Sequence, residues 1–266
     1  MSLLQSFSRP AAVSCLAVVL SLNVAIAQDK PAFEPQVGQA GKDVIWVPTP
    51  QALVDKMLDM AKVTAADTVY DLGSGDGRTV ITAAKRGATA QGIEYNPDMV
   101  ELSKRNAAKE NIGEKAQFMK ADLFETDFSK ASVITMFLPP DINLRLRPKI
   151  LDMKPGTRIV SNTFDMGDWT PDEVAQAVDG CTSYCKANFW IVPAKVAGTW
   201  KLPQGELKLE QKYQMITGTL RNGSVTAPIA NGKMNGDQIT FTVDGTQFTG
   251  KVNGSAMEGT WRATKS

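Results

Sequence analysis

Val69-Tyr70-Asp71-Leu72-Gly73-Ser74-Gly75-Asp76-Gly77-Arg78 is the stretch on which the fold turns. Apolar and β-favouring residues over 68–72 predict a strand, and it runs directly into Gly-Ser-Gly-Asp-Gly. Residues 78–86 then repeat apolar side chains at helical spacing. A strand that passes through glycines into a helix opens a βαβ unit. The glycines permit a sharp turn and let a ligand lie against bare backbone with no Cβ in the way. In open α/β sheets, ligands bind at the carboxyl ends of the strands, where the strand order reverses.

Outward from this stretch the signals alternate. Upstream, Thr49-Pro50 opens a helical pattern with Leu53, Val54, Met57, Leu58 and Ala61 on one face, and Pro50 suits its first turn. Downstream, the spacing predicts strands over 89–93, 116–119, 131–138 and 157–161, and helices over 97–108 and 142–153. This is an α/β pattern, a Rossmann-like parallel sheet covered on both faces, over residues 46–193.

The character changes near residue 192. Residues 197–266 are rich in Gly, Thr and Asn, with short alternating segments such as Gln238-Ile239-Thr240-Phe241-Thr242-Val243. Asn222-Gly223, Asn231-Gly232, Asn235-Gly236, Asp244-Gly245 and Asn253-Gly254 read as hairpin turns, whose central residues need positive φ. A small antiparallel all-β domain follows from this, a barrel or a sandwich. Gly198-Thr199-Trp200 near its start recurs as Gly259-Thr260-Trp261 near its end. The echo predicts that the first and last strands pair, although three residues also recur by chance.

The amino terminus reads as an export signal over 1–27. Arg9 is its only charge, residues 11–27 are largely apolar, and Ala25-Ile26-Ala27 fits a cleavage site. The run is short of the roughly 20 residues of a comfortable span. The expected location is therefore periplasmic or secreted, with no transmembrane span after signal removal. An uncleaved signal would instead anchor the chain in a membrane. Residues 28–45 read as a linker or an extended arm.

Composition narrows the chemistry. The 266 residues carry 29 basic and 28 acidic side chains, and losing Arg9 with the signal balances the two signs. That argues against nucleic acid as the partner. There is no His in the chain, which excludes the usual Ser–His and Cys–His mechanisms and His-ligated metal, and no metal site is expected. Cys181 and Cys185 remain after signal removal. They bridge if a turn brings their Cα atoms within about 7 Å, and stay free thiols if the chain is extended.

Three carboxylates fall at strand ends. Asp71 precedes the first Gly of the loop by two residues, where it suits an ammonium and would repel a pyrophosphate. The third Gly also comes one residue early for a dinucleotide loop, so a nicotinamide-dependent oxidoreductase is the weaker reading. Glu94 closes the second strand, where a carboxylate accepts from ribose hydroxyls. Asp122 follows the third and suits an adenine amine, or a helix N-cap.

With these residues in that order, the segment resembles a class I S-adenosylmethionine (SAM)-dependent methyltransferase. Val47-Pro48-Thr49-Pro50, the Asp71-to-Arg78 motif and Lys154-Pro155-Gly156-Thr157-Arg158 are similar, more narrowly, to a branch of protein-lysine methyltransferases. That branch includes the mitochondrial enzymes acting on ATP synthase and carrier proteins. It is distantly similar to the histone H3 enzyme that lacks a SET domain.

The resemblance implies that SAM is the cofactor. Asp71, Gly73, Ser74, Gly75 and Gly77 would wrap its methionine part, with Thr49 near the carboxylate end. Glu94 would hold the ribose. Asp122 and the Leu123 backbone would read the adenine, with Ile93 or Tyr95 against the ring. Phe137, Leu138, Pro139, Pro140 and Asn143 would face the methyl acceptor, and Trp169 would line its channel. Leu138-Pro139-Pro140 departs from the Asn-Pro-Pro-Tyr of base methylases, which weakens a nucleic-acid reading further. The expected acceptor is an amine, a protein lysine or a small molecule. No catalytic residue is assigned; Asp76 and Asp141 are the candidates for taking a proton. The competing reading is a non-catalytic exported binding protein whose β domain is the binding module, because SAM is made in the cytosol.

Overall fold

In the computed structural model, which describes residues 33–176, 179–203, 205–259 and 261–266, Thr68–Leu72 (β1) lies inside a seven-stranded sheet. The export signal expected over 1–27 lies outside the described residues. The other strands of this sheet are Thr89–Glu94 (β2), Ala116–Lys120 (β3), Val133–Met136 (β4), Arg158–Asn162 (β5), Glu173–Ala175 (β6) and Ala187–Ile191 (β7). Their order is β3-β2-β1-β4-β5-β7-β6. Strands β1 to β5 run parallel, while β7 is antiparallel to both β5 and β6. The all-parallel expectation is corrected at this edge. No helix is seen among the described residues between β5 and β7, and a parallel return needs a crossover.

The helices are Gln51–Met60 (α1), Arg78–Lys85 (α2), Pro97–Lys109 (α3) and Pro140–Leu151 (α4). Pro50 stands at the N-cap of α1, one residue outside the first turn. Leu53, Val54, Val80, Ala84 and Val100 pack with Val69, Ala90, Val133 and Val160 on one face of the sheet. On the other face Ile142, Leu146 and Ile150 of α4 pack with Leu72, Ile134, Met136 and Ile159. Alternation along β1 and β4 divides these sets, so Asp71 and Thr135 project from the same face as Val69 and Val133.

The remaining strands form a closed antiparallel barrel. They are Gly198–Leu202 (β8), Gly205–Lys212 (β9), Met215–Asn222 (β10), Val225–Pro228 (β11), Ala230–Asn235 (β12), Gln238–Val243 (β13), Thr246–Asn253 (β14), Ala256–Gly259 (β15) and Arg262–Lys265 (β16). First and last strands do pair, β8 with β16, and β9 pairs β10 along its whole length. Four of the five Asn-Gly and Asp-Gly pairs sit at hairpins. The fifth, Asn231-Gly232, lies inside β12 at a register shift, correcting its reading as a turn. A Cβ on Gly232 would meet the Ile216 carbonyl, so this glycine lets β12 approach β10 closely. Trp200, Leu207, Ile239, Phe241 and Met257 pack in the barrel core.

The β9–β10 turn joins barrel to sheet. Tyr213 stacks on Trp169 with ring centres 5.8 Å apart, and Trp169 Nε1 donates to Gln214 Oε1 at 3.0 Å. The Tyr213 hydroxyl donates to Asp168, which also pairs with Arg147 and Lys212.

Candidate functional site

The strand order reverses between β1 and β4, and a cavity opens there at the carboxyl ends of the strands. Its space, open mouth included, is about 1120 Å³. Gly73, Ser74 and Gly75 line it from β1, Ile93, Glu94 and Tyr95 from β2, Asp122 and Leu123 from β3, and Phe137 and Leu138 from β4.

The glycine loop is held open by its surroundings. Gly73, Gly75 and Gly77 all have positive φ. A Cβ on Gly75 would stand 2.8 Å from Trp46 Nε1, and one on Gly73 3.1 Å from a Leu138 methyl, so side chains there would intrude on the cavity wall. Glu94 Oε2 accepts from the Gly75 N–H at 3.0 Å and its Oε1 from the Asn96 N–H at 2.9 Å. The Ser103 hydroxyl donates to the Gly75 carbonyl, and Asn106 to that of Asp76. Thus α3 anchors the loop from beneath.

Asp71 is 6% exposed and accepts from the Thr135 hydroxyl at 2.7 Å, its partner in the β1–β4 register. Burial pushes its carboxyl up to about 7, and the nearby Asp76 and Glu94 charges add to the rise. An arriving ammonium would relieve this cost. Thr49 lies in the cavity wall, with its hydroxyl near Asn162 Nδ2 at 3.2 Å and its carbonyl accepting from Arg78 at 2.9 Å. Asp76 is tied to that same arginine, and Asp141 is exposed in the first turn of α4.

Asp122 Oδ1 accepts from the Phe124 N–H, and Oδ2 meets Lys42 Nζ at 2.6 Å. The Lys42 hydrogen bond holds the carboxyl below the usual carboxylate range, with the Phe124 N–H adding to it. Lys42 also lies over the half-exposed Tyr95 ring, 4.4 Å from its centre.

Lys42 belongs to a segment read from the sequence as a linker or arm. Instead, the chain folds back on itself, with Gly38 N donating to Trp46 O and Trp46 N to Gln39 O. Gln39, Lys42, Val44 and Trp46 line the cavity, so its outer wall comes from this hairpin. Gly41 and the apolar run Val44-Ile45-Trp46-Val47 that follows it are the local signals for it.

Five positions depart from the expected site. Gly77 does not reach the cavity; a Cβ there would collide with Phe118 and Ser103, so this glycine lets α2 start against β3 and α3. Asn143 is wholly buried and donates to the Asp165 carbonyl, tying α4 to the loop after β5. Pro139 is the N-cap of α4 and Pro140 its first residue, and both lie outside the lining. Trp169, expected in an acceptor channel, is 0% exposed beneath the barrel turn. Conversely, Thr135 and the aromatic rings of Phe164 and Tyr184 beside Phe137 were not singled out from the sequence. Cys181 and Cys185 form a disulfide, their Cα atoms 5.6 Å apart around a turn.

Acidic groups at three strand ends, glycine backbone between them and an apolar wall suit an adenosyl group joined to an amino acid. Known proteins agree. Residues 71–173 match the ANTKMT methyltransferase domain. A protein-lysine N-methyltransferase of Saccharolobus islandicus is 44% identical over 140 residues, 52% of this chain and 87% of its own length. A human lysine N-methyltransferase named for the ATP synthase is 34% identical over 146 residues, 54% of this chain, and the match spans only 62% of that enzyme. A Salinibacter ruber RNA methyltransferase, solved with S-adenosyl-L-homocysteine, is 43% identical. It superposes with a TM-score of 0.53 over 56% of this chain and 96% of its own.

Fold, cradle and relatives together define a class I SAM-dependent methyltransferase. Within that class, the chain belongs to the family of the Saccharolobus islandicus protein-lysine N-methyltransferase, and its residues 71–173 match the ANTKMT methyltransferase domain.

Proposed function

We propose that this enzyme methylates the ε-amine of a protein lysine. The observation that carries the reading is the 44% identity to the Saccharolobus islandicus protein-lysine N-methyltransferase, which spans 87% of that protein. Balanced charge supports a protein acceptor over RNA, because RNA binding draws on a basic surface. The Leu138-Pro139-Pro140 sequence supports it too.

When bound, SAM supplies a methyl group on a sulfonium, a leaving group that needs no proton. What the chain must do is align the acceptor and present it uncharged. Only about one lysine in 10³ is neutral at pH 7. Phe137 and Leu138, which line the cavity just after β4, give an apolar surface that lowers the acceptor's pKa by desolvation. Asp71 and the Gly73–Gly75 backbone hold the methionine end in our reading, Glu94 the ribose and Asp122 the adenine.

We further propose that the enzyme works after export. The 1–27 segment and the Cys181–Cys185 bridge both support an oxidising compartment. No helix among the described residues is long and apolar enough to cross a membrane.

The test is transfer from methyl-tritiated SAM into a cell extract, split between protease and ribonuclease digestion. Label recovered as methyl-lysine after hydrolysis supports the reading. Label that ribonuclease alone releases would replace it with an RNA acceptor, the substrate class for which the Salinibacter enzyme is named.

A further inference from the structure

Three rings meet beside the cofactor cavity. Phe137 follows β4 and lines the cavity wall. Phe164 stands two residues beyond β5, its ring centre 5.9 Å from that of Phe137. Tyr184 sits edge-on to Phe137 at 5.1 Å and 6.4 Å from Phe164. Unlike Trp169 and Trp190, which touch at 6.0 Å and are wholly buried, these rings keep open surface, and Tyr184 is 42% exposed.

The backbone around them is held in an unfavourable form. Thr163 and Tyr184 both have positive φ, 58° and 54°, a region that side-chain-bearing residues seldom enter. Such conformations persist only where surrounding structure enforces them, and they concentrate at functional sites. Asn188 Nδ2 donates to the carbonyls of Thr163 and Phe164, and Thr163 N donates to Lys186 O. The Cys181–Cys185 bridge closes the loop that carries Tyr184. Thus one wall ring is positioned by β7 and another by a covalent tie.

We propose that Phe137, Phe164 and Tyr184 form the acceptor vestibule, that it takes an alkylammonium or methylammonium group against its ring faces, and that the Cys181–Cys185 bridge keeps Tyr184 in place for this. Ring faces attract cations, and a partly exposed three-ring pocket suits an ammonium as it enters or, methylated, as it leaves. The inference rests on the amine-acceptor reading above.

The experiment uses chain 28–266 loaded with S-adenosylhomocysteine, with n-butyltrimethylammonium as a probe for a methylated lysine side chain. Ring resonances of labelled Phe and Tyr are followed by NMR, with n-butanol as the uncharged control. The Phe137, Phe164 and Tyr184 signals should move together and saturate with the cation and not with butanol. Tyr184→Ala should weaken this binding about tenfold while Tyr184→Phe keeps it. SAM affinity should be the same in all three proteins, which a general packing defect would not allow. Dithiothreitol passes two electrons and two protons to the bridge, leaving two thiols and oxidised reagent. It should weaken probe binding in the wild type and have no effect on the Cys181→Ser, Cys185→Ser double variant, which should already bind weakly.

Rings that ignore the cation, or a Tyr184→Ala protein that binds it as well as wild type, would overturn the proposal. Transfer to poly-L-lysine is measured in parallel. Methylated poly-L-lysine with an unchanged KM in Tyr184→Ala sinks the vestibule and leaves the lysine reading standing. Ring binding without any transfer to poly-L-lysine does the reverse.

Discussion

At Gly75 and Asp71 single atoms govern the site. Gly75→Ala places a methyl 2.8 Å from Trp46 Nε1 at a φ of +53°. The left-handed conformation alone costs about 1–2 kcal/mol for a residue with a Cβ. The expected result is at least a tenfold loss of SAM affinity by calorimetry, with Tm lower by a few degrees. Asp71 makes a prediction in pH. Its folded pKa of about 7 lies above the unfolded value near 3.8, so between these the folded state holds the extra proton. Stability of the cofactor-free protein should therefore fall as pH rises from 4 to 7, and Asp71→Asn should flatten that slope. SAM affinity should move the opposite way, strengthening toward pH 7 as the carboxylate forms to receive the ammonium. An Asn variant whose affinity followed the same pH curve would remove Asp71 from that role.

At the level of elements, the hairpin that begins at Gly38 is the piece that changes the site most. It puts Lys42 on Asp122, the carboxylate assigned to adenine. Bound adenine must share or displace that ammonium. Lys42→Ala should therefore bind SAM a few-fold more tightly than wild type. Raising salt should tighten SAM binding by wild type, because it screens the Lys42–Asp122 pair, and leave the variant unmoved. Titration calorimetry at low and high ionic strength decides this, and weaker binding by Lys42→Ala would show that the lysine helps to hold the cofactor. The helices, and the sheet strands as far as β5, lie close to where side-chain periodicity puts them, whereas β6 and β7 were not read from the sequence. Helix α4 begins at Pro140, ahead of the 142–153 expected, since Pro is accommodated at a first turn whatever its polarity.

For the whole molecule, the joint between sheet and barrel is the structural question. Trp169 is fully buried there, stacked on Tyr213 and bonded to Gln214, while its carbonyl accepts from Trp190 Nε1 at 2.8 Å. Trp169→Ala should cost about 3–5 kcal/mol, the usual range for a buried aromatic. Because the loss falls at the joint, calorimetry should show one transition for the wild type and two for the variant. A variant that still unfolds as one unit would mean that sheet and barrel are coupled elsewhere. Asp168, held far below the usual carboxylate range by Tyr213 and then by Lys212, belongs to the same joint. Its contribution is present at neutral pH and disappears on acidification through the folded pKa.

The sequence alone determined the α/β core, the glycine loop, the carboxylates at three strand ends and an antiparallel β unit after residue 193. Each rests on patterns within a few residues: a period of 3.6 or 2, a Gly where the chain turns sharply, an Asn-Gly or Asp-Gly that forms a hairpin at four of its five occurrences. Asp71, Glu94 and Asp122 were legible because a parallel sheet carries every strand end to the same edge. Only tertiary structure decided which residues complete the wall. Lys42 meets Asp122 from 80 residues away, Thr135 reaches Asp71 through strand register, and Tyr184 reaches Phe137 because a bridge turns its loop. It also removed Trp169 from the site, since nothing near that residue announces that a barrel turn 45 residues later will cover it. Contacts of that range are chosen by packing complementarity between finished elements, and no local pattern encodes them.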